Sequence, residues 1–313
     1  MEEALQTKIS RLSVRAGGVS SSPARGSNRR GEKVIEKILV LCAAIFILAI
    51  FLITIFIFAK GLPLITKIGI GDFLFNTQWS PTKGIFGIGS MFIGSVLITL
   101  GALIWTVPLG LSTAILMAEI APPKIGTILG NLVNLLAGIP SVVYGFIGLI
   151  VVVPFIRNNL GGNGMSLLAG AIILGIMILP TLINISRDSI LAVPHEYKEG
   201  SLALGATHFQ TISKVIVPAA KSGIITAIVL GMGRAIGETM AVVMVTGNSP
   251  IIPGSILEPV RTMTSNIVLE MGYASGDHQT ALFATGMVLF VFIVVLNLSI
   301  NLFAKGGQRS GSN

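Results

Sequence analysis

Charged side chains are scarce in this chain. Only 11% of its 313 residues are Asp, Glu, Lys or Arg, where soluble domains average about 25%. Such a composition cannot coat a water-facing surface, which excludes an ordinary soluble domain. Cysteine is almost missing: Cys42 stands alone, so no internal disulfide can form. Inside an apolar run it reads as a small packing residue. The three histidines, His195, His208 and His278, lack metal-ligand spacing, and the first two read as surface residues. No G-x-x-x-x-G-K-[S/T] is present; Lys221-Ser222 lacks the glycines before it, so the chain is not expected to bind ATP. Gly231-Met-Gly233 opens like a dinucleotide fingerprint, but Ile236 stands where its third glycine belongs. No nucleophile–base pair or metal set appears. An enzyme is therefore disfavoured, and neither a cofactor nor a metal is expected.

Apolar residues are abundant: 52% of the chain, with a mean hydropathy of +0.88. They gather into six long runs, so the chain reads as an all-α membrane protein with six transmembrane helices. The first covers Ile38–Ala59, about 22 residues, long enough to cross a bilayer and too long for a signal peptide's apolar region. The second covers about Ser90–Met117 and stops near Glu119 and Pro122-Pro123. The third covers Ile128–Ile156 with Gly138-Ile-Pro140 inside it, and the fourth Ser166–Ile185 with Pro180 inside it. The fifth covers Ala219–Thr246 and the sixth Ala281–Phe303. The expected division is a basic tail over 1–37, a first helix and outer loop over 38–89, a core over 90–304 and a short tail over 305–313.

The net charge of +8 follows the membrane rather than a nucleic acid. Eight Lys/Arg precede the first run. Residues 16–31, rich in Gly, Ser and Arg, read as a disordered leader that either touches anionic lipid or is simply solvated. With the N-terminus inside, fifteen Lys/Arg fall on the cytoplasmic side and five outside: Lys60, Lys67, Lys83, Arg157 and Arg261. That bias places both termini in the cytoplasm, together with the 194–218 loop.

Within the fifth run, Gly231-Met-Gly-Arg234-Ala-Ile-Gly-Glu238 puts a cation and an anion four residues apart, one face of a continuous helix. Gly231, Gly233 and Gly237 would let neighbouring backbone come close. A central Arg costs about 2.5–3.5 kcal/mol to insert even by low estimates, so this face should meet a protein interface or a water-filled path. A guanidinium fork suits a tetrahedral oxyanion. The alternative is an internal Arg234–Glu238 salt bridge that locks packing. Tyr144 and Ser141, beside Pro140, read as core residues before path residues.

The 194–218 loop reads as helix, sharp turn, helix. Pro194 suits a first helical position, and small residues at Gly200, Ser201 and Ala203 leave an approachable face. Gly205 can take the left-handed helix-ending conformation, and Thr207 with Gln210 forms a capping box.

Glu199-Gly-Ser-Leu-Ala-Leu-Gly205, then nine residues, then Val215-Ile-Val-Pro218 resembles the EAA loop of ABC-transporter permeases. Gly200 and Ser201 replace its alanines. The resemblance implies that Glu199, Gly200, Ser201, Ala203 and Gly205 dock a separate ATPase subunit. Arg234-Ala-Ile-Gly-Glu-Thr-Met-Ala-Val242, Leu136-Ala-Gly-Ile-Pro-Ser-Val-Val-Tyr-Gly145, Trp79-Ser-Pro81, Val107-Pro-Leu-Gly110 and Leu204-Gly-Ala206 are similar to segments of phosphate-specific ABC permeases, over about 36–304. Met240 and Trp79-Ser-Pro81 favour the PstC type over the PstA type. This resemblance implies a type I (MetI-like) permease fold in a prokaryotic plasma membrane. The implied partners are a PstA-type permease, two PstB-type ATPases and an external phosphate-binding protein, with Arg234 and Glu238 in the substrate path. Two alternatives stay open. One is a permease for molybdate, tungstate or sulfate; the other is an ion-coupled transporter using Arg234 and Glu238 as a relay, although no internal repeat supports it.

Overall fold

The computed structural model describes residues 29–309. The expectation for the basic leader therefore lies largely outside the described residues. The chain forms two compact units that divide after Ile55. In the first, helix α1 (Arg29–Ile68, which continues past the division) leaves its large apolar side chains from Val34 to Phe51 exposed, as lipid-facing residues must be.

The second unit holds the remaining elements. After Gly69, at φ 88°, α2 (Ile70–Phe75) leads to a two-residue hairpin of β1 (Trp79–Ser80) and β2 (Ile85–Phe86). This small antiparallel pair was not expected from the apolar runs. Then follow α3 (Gly89–Ile115), α4 (Pro123–Ala137), α5 (Ser141–Ile147), α6 (Val153–Asn159) and α7 (Leu167–Leu191). The chain closes with α8 (His195–Ala203), α9 (His208–Thr211), α10 (Val217–Ala219), α11 (Lys221–Gly237), α12 (Met240–Val245), α13 (Met263–Glu270) and α14 (Asp277–Arg309). Three π-helical turns, Leu116–Ile120, Gly148–Val152 and Ile212–Ile216, extend or join helices.

Five helices among the described residues are long and apolar enough to cross a membrane, and six if the pair His208–Ala219 and Lys221–Gly237, bent by 67°, is one span. Two of the expected spans are broken. The third is not one helix over 128–156. It stops at Ala137, resumes at Ser141, and crosses over Ser141–Asn159. Pro140 cannot follow an α-helical residue comfortably, and the buried Tyr144 closes the gap by donating its hydroxyl to Leu136 O at 2.8 Å. The fifth expected span, 219–246, ends as a helix at Gly237. α1 and α14 instead outrun their expected ends, because a helix may continue into the aqueous layer.

The core lies where α3, α7 and α11 meet, with Ile98, Ala102, Leu174, Ile178 and Ala235 buried together. Gly175 permits the α3–α7 approach: a Cβ there would sit 2.1 Å from the Trp105 ring. Ser166 caps α7 through its side chain, which accepts from Ala169 N. A second cluster, with Leu64, Phe73, Phe86, Met91, Met263 and Ala284, ties the end of α1 to α13 and α14.

Candidate functional site: a coupling knob, a mid-span arginine and an outer carboxylate hub

The 194–218 segment folds for local reasons. Pro194 sits at the N-cap, one position before the one expected of it, and α8 begins at His195. The helix ends in a Schellman motif: Ala206 N donates to Ser201 O at 3.2 Å and Gly205 N to Leu202 O at 3.0 Å. Gly205 has φ +85°. The Thr207–Gln210 capping box then forms as expected and starts α9. Glu199, Gly200 and Ala203 are exposed, and a Cβ on Gly200 would meet nothing within 4 Å. Ser201 differs: its hydroxyl lies 3.0 Å from that of Thr211, half-buried, and braces α8 against α9. Leu204 is 91% exposed and Phe209 78%, an apolar tip that small-residue reasoning missed. Lys198 Nζ donates to Glu119 at 2.6 Å, anchoring the knob to the end of the α3 π turn.

Arg234 and Glu238 do not share a helical face. α11 stops at Gly237, and Glu238 is extended at φ −70°, ψ 135°. Its Oε1 accepts from the backbone N of Thr239 at 3.1 Å and of Ala241 at 3.4 Å, so it caps the start of α12. Thr264 donates to its carbonyl at 2.9 Å. Local capture of those N–H groups competes with continuing the helix. Arg234 is exposed, and its Nη1 donates to Thr181 Oγ1 at 3.4 Å. Among the described residues no ion pair links it to any carboxylate. Of the three nearby glycines, only Gly231 approaches another helix, its would-be Cβ lying 4.0 Å from Ile178; Gly233 and Gly237 face open space.

The opposite end of the spans carries a constellation that sequence spacing did not reveal. Glu270, 7% exposed, accepts from Trp79 Nε1 at 2.8 Å and from Arg261 Nη1 at 2.7 Å. His278 Nε2 lies 2.8 Å from its other side. Arg261 also donates to Asn248 O and Asn266 Oδ1. One buried carboxylate thus joins both long loops, 60–89 and 247–280. Glu270→Leu strands Arg261 without its anion and is expected to cost about 3–5 kcal/mol. The check is a thermal melt of the purified complex: Glu270→Leu alone should lower it sharply, and adding Arg261→Met should recover much of the loss.

Residues 108–306 match the family model described as the binding-protein-dependent transport system inner membrane component. The chain is 44% identical over 282 residues, covering 86% of itself and 91% of its relative, to a probable ABC transporter permease protein, YqgH, of Bacillus subtilis. It is 35% identical over 263 residues, 77% of itself and 83% of the relative, to the phosphate transport system permease protein PstC of Haemophilus influenzae. A probable phosphate transport system permease protein PstC of Methanocaldococcus jannaschii is 32% identical over 292 residues, 85% and 92% of the two chains. Among solved structures, a bacterial ABC transporter involved in importing the acidic polysaccharide alginate aligns with a TM-score of 0.61 at 15% identity, covering 89% of this chain and 99% of that one. The MetNI methionine ABC transporter aligns at 0.55 and 19% identity, covering 74% and 99%. These likenesses show the type I permease fold.

Proposed function

Because this chain belongs to the family of binding-protein-dependent transport system inner membrane components, we propose that it is the permease subunit of an ATP-driven importer of inorganic phosphate. The family supplies membrane subunits, not catalysts; ATPase and substrate-binding partners are separate chains. The observation that carries the phosphate reading is Arg234, an exposed guanidinium within an apolar span with no carboxylate partner among the described residues. Its planar fork matches a tetrahedral oxyanion. The names of the relatives at 32–35% identity support the same anion.

In this reading the partners are a PstA-type permease, two PstB-type ATPases and an external phosphate-binding protein. The knob formed by Glu199, Gly200, Ala203 and Gly205, with Leu204 and Phe209 at its tip, docks into an ATPase. Ser201 holds the knob's shape from within. ATPase closure pushes the knob, and the spans rock about Arg234. The division into a first helix with its loop (38–89) and a permease core (90–304) belongs to this proposal. The test is phosphate uptake into vesicles holding the full complex, with and without this subunit, competed by sulfate and molybdate. Uptake that ignores phosphate and follows another oxyanion would overturn the substrate assignment.

Both termini and the knob lie in the cytoplasm in this proposal. Bonding at the two ends of the helices supports it: Lys198 meets Glu119 at one end of α3, while Ser90, at the other, donates to Pro250 O. With Cys42→Ser as background, cysteine at position 199 should label only from the cytoplasmic side and at Lys83 only from outside. Labelling of position 199 from outside would reverse the topology.

A further inference from the structure

Helix α4 carries a polar stripe that packing does not explain. Asn131 and Asn134, three residues apart and hence on one face, are both exposed. The helix buries Val133 against Met117 and Ile183 and turns Ile125, Ile128, Leu132 and Leu135 outward. Asn184 of α7 donates from Nδ2 to Asn134 Oδ1 at 3.1 Å, which fixes α4 beside α7 at that level. Thr181, the acceptor of Arg234, precedes Asn184 by three residues on the same α7 face. Three residues are about 4.5 Å of helix.

α7 runs toward the coupling knob, and α4 starts at that same end, near Glu119. The order toward the knob is therefore Arg234 with Thr181, then Asn184 with Asn134, then Asn131. Asn131 has no hydrogen-bond partner among the described residues, and the Nδ2 of Asn134 has none either. An amide presented to hydrocarbon costs several kcal/mol, so this stripe should meet water or a polar ligand. Along the α7 face the next carboxylate is Asp188, four residues beyond Asn184, with Arg187 adjacent to it.

We propose that Asn131, Asn134 and Asn184 form a second station for a tetrahedral oxyanion, on the knob side of Arg234, which receives the anion when Arg234 releases it. Neutral N–H donors hold an oxyanion less tightly than a guanidinium does, which suits onward release. The proposal rests on the reading of Arg234 as the anion contact. It concerns which residues conduct, whatever the oxyanion.

The experiment reconstitutes the full complex with its binding protein. It measures uptake of phosphate, sulfate and molybdate alongside binding-protein-stimulated ATP hydrolysis. Wild-type preference for an anion other than phosphate would overturn the substrate assignment alone, and the station is then read on the preferred anion. Asn131→Asp and Asn134→Asp, near-isosteric but negative, should each cut uptake about tenfold or more while stimulated ATPase and assembly persist. Asn131→Leu should cut it less. The charge at position 131 breaks no existing hydrogen bond, so misfolding does not confound that variant. Equal effects of Asp and Leu at position 131, or full uptake by Asn134→Leu/Asn184→Leu, would overturn the station. So would failure of Asn131→Leu to assemble, which would mark a packing face.

Discussion

Arg234→Gln is expected to abolish anion uptake by a complex that still assembles and still hydrolyses ATP. The guanidinium lies exposed in an apolar span, and its recorded bond to Thr181, at 3.4 Å, is long. The chain thus carries the cost of a membrane arginine without an internal counter-ion, which is sensible where a ligand supplies the negative charge. Arg234→Lys should also transport poorly, since a point charge replaces a planar fork. Glu238 has a different task, because its carboxylate caps α12. Glu238→Gln keeps an acceptor oxygen and should retain much of the uptake, whereas Glu238→Ala removes the cap and should lose more. The charge-free pair Arg234→Gln/Glu238→Gln should be as inactive as Arg234→Gln alone. Near-normal uptake by that pair would mean that the two charges only balance each other, and the anion role would be lost.

Gly205→Val should uncouple the transporter. Nothing lies within 4 Å of a Cβ at this position, so the substitution meets no neighbouring side chain. Its effect acts through the backbone alone: φ is +85°, a region that a β-branched residue avoids. Losing it breaks the Schellman bonds to Ser201 O and Leu202 O and re-aims α8 relative to α9. Uptake per assembled complex should fall about tenfold or more, with membrane insertion unchanged. Gly205→Asn is the control, because asparagine tolerates the left-handed conformation and should restore most coupling. Equal transport by the Val variant and the wild type would show that the knob does not transmit ATPase closure.

What could be read in advance was what local rules govern. The apolar runs marked the crossing helices, and Gly205 and Thr207–Gln210 marked the turn, because a positive φ and a capping box are written in adjacent residues. The helix break at Gly237 was not legible. Glu238 sits at the right spacing to pair with Arg234, and only the competing bonds to Thr239 and Ala241 take it out of the helix. The Glu270 hub was invisible for another reason. Trp79 and Glu270 are 191 residues apart, and no periodicity connects them. The same holds for Lys198 and Glu119, which the charge count placed on one side but could not pair.

The π turn at Ile212–Ile216 has a consequence for how this subunit can change by insertion or deletion. A π turn holds one residue more than the α-helical turn it replaces. It lies between the knob and α11, so it sets the rotational phase of everything that follows. Removing one residue from 212–216 would restore a plain helix and turn α11 by about 100° against α8. Arg234 would then swing to a new bearing although no residue near it had changed. Length at this point is a phase adjuster linking the aim of the knob to the aim of the mid-span arginine. A homologous subunit with one residue fewer here would have to recover the phase elsewhere along the same path.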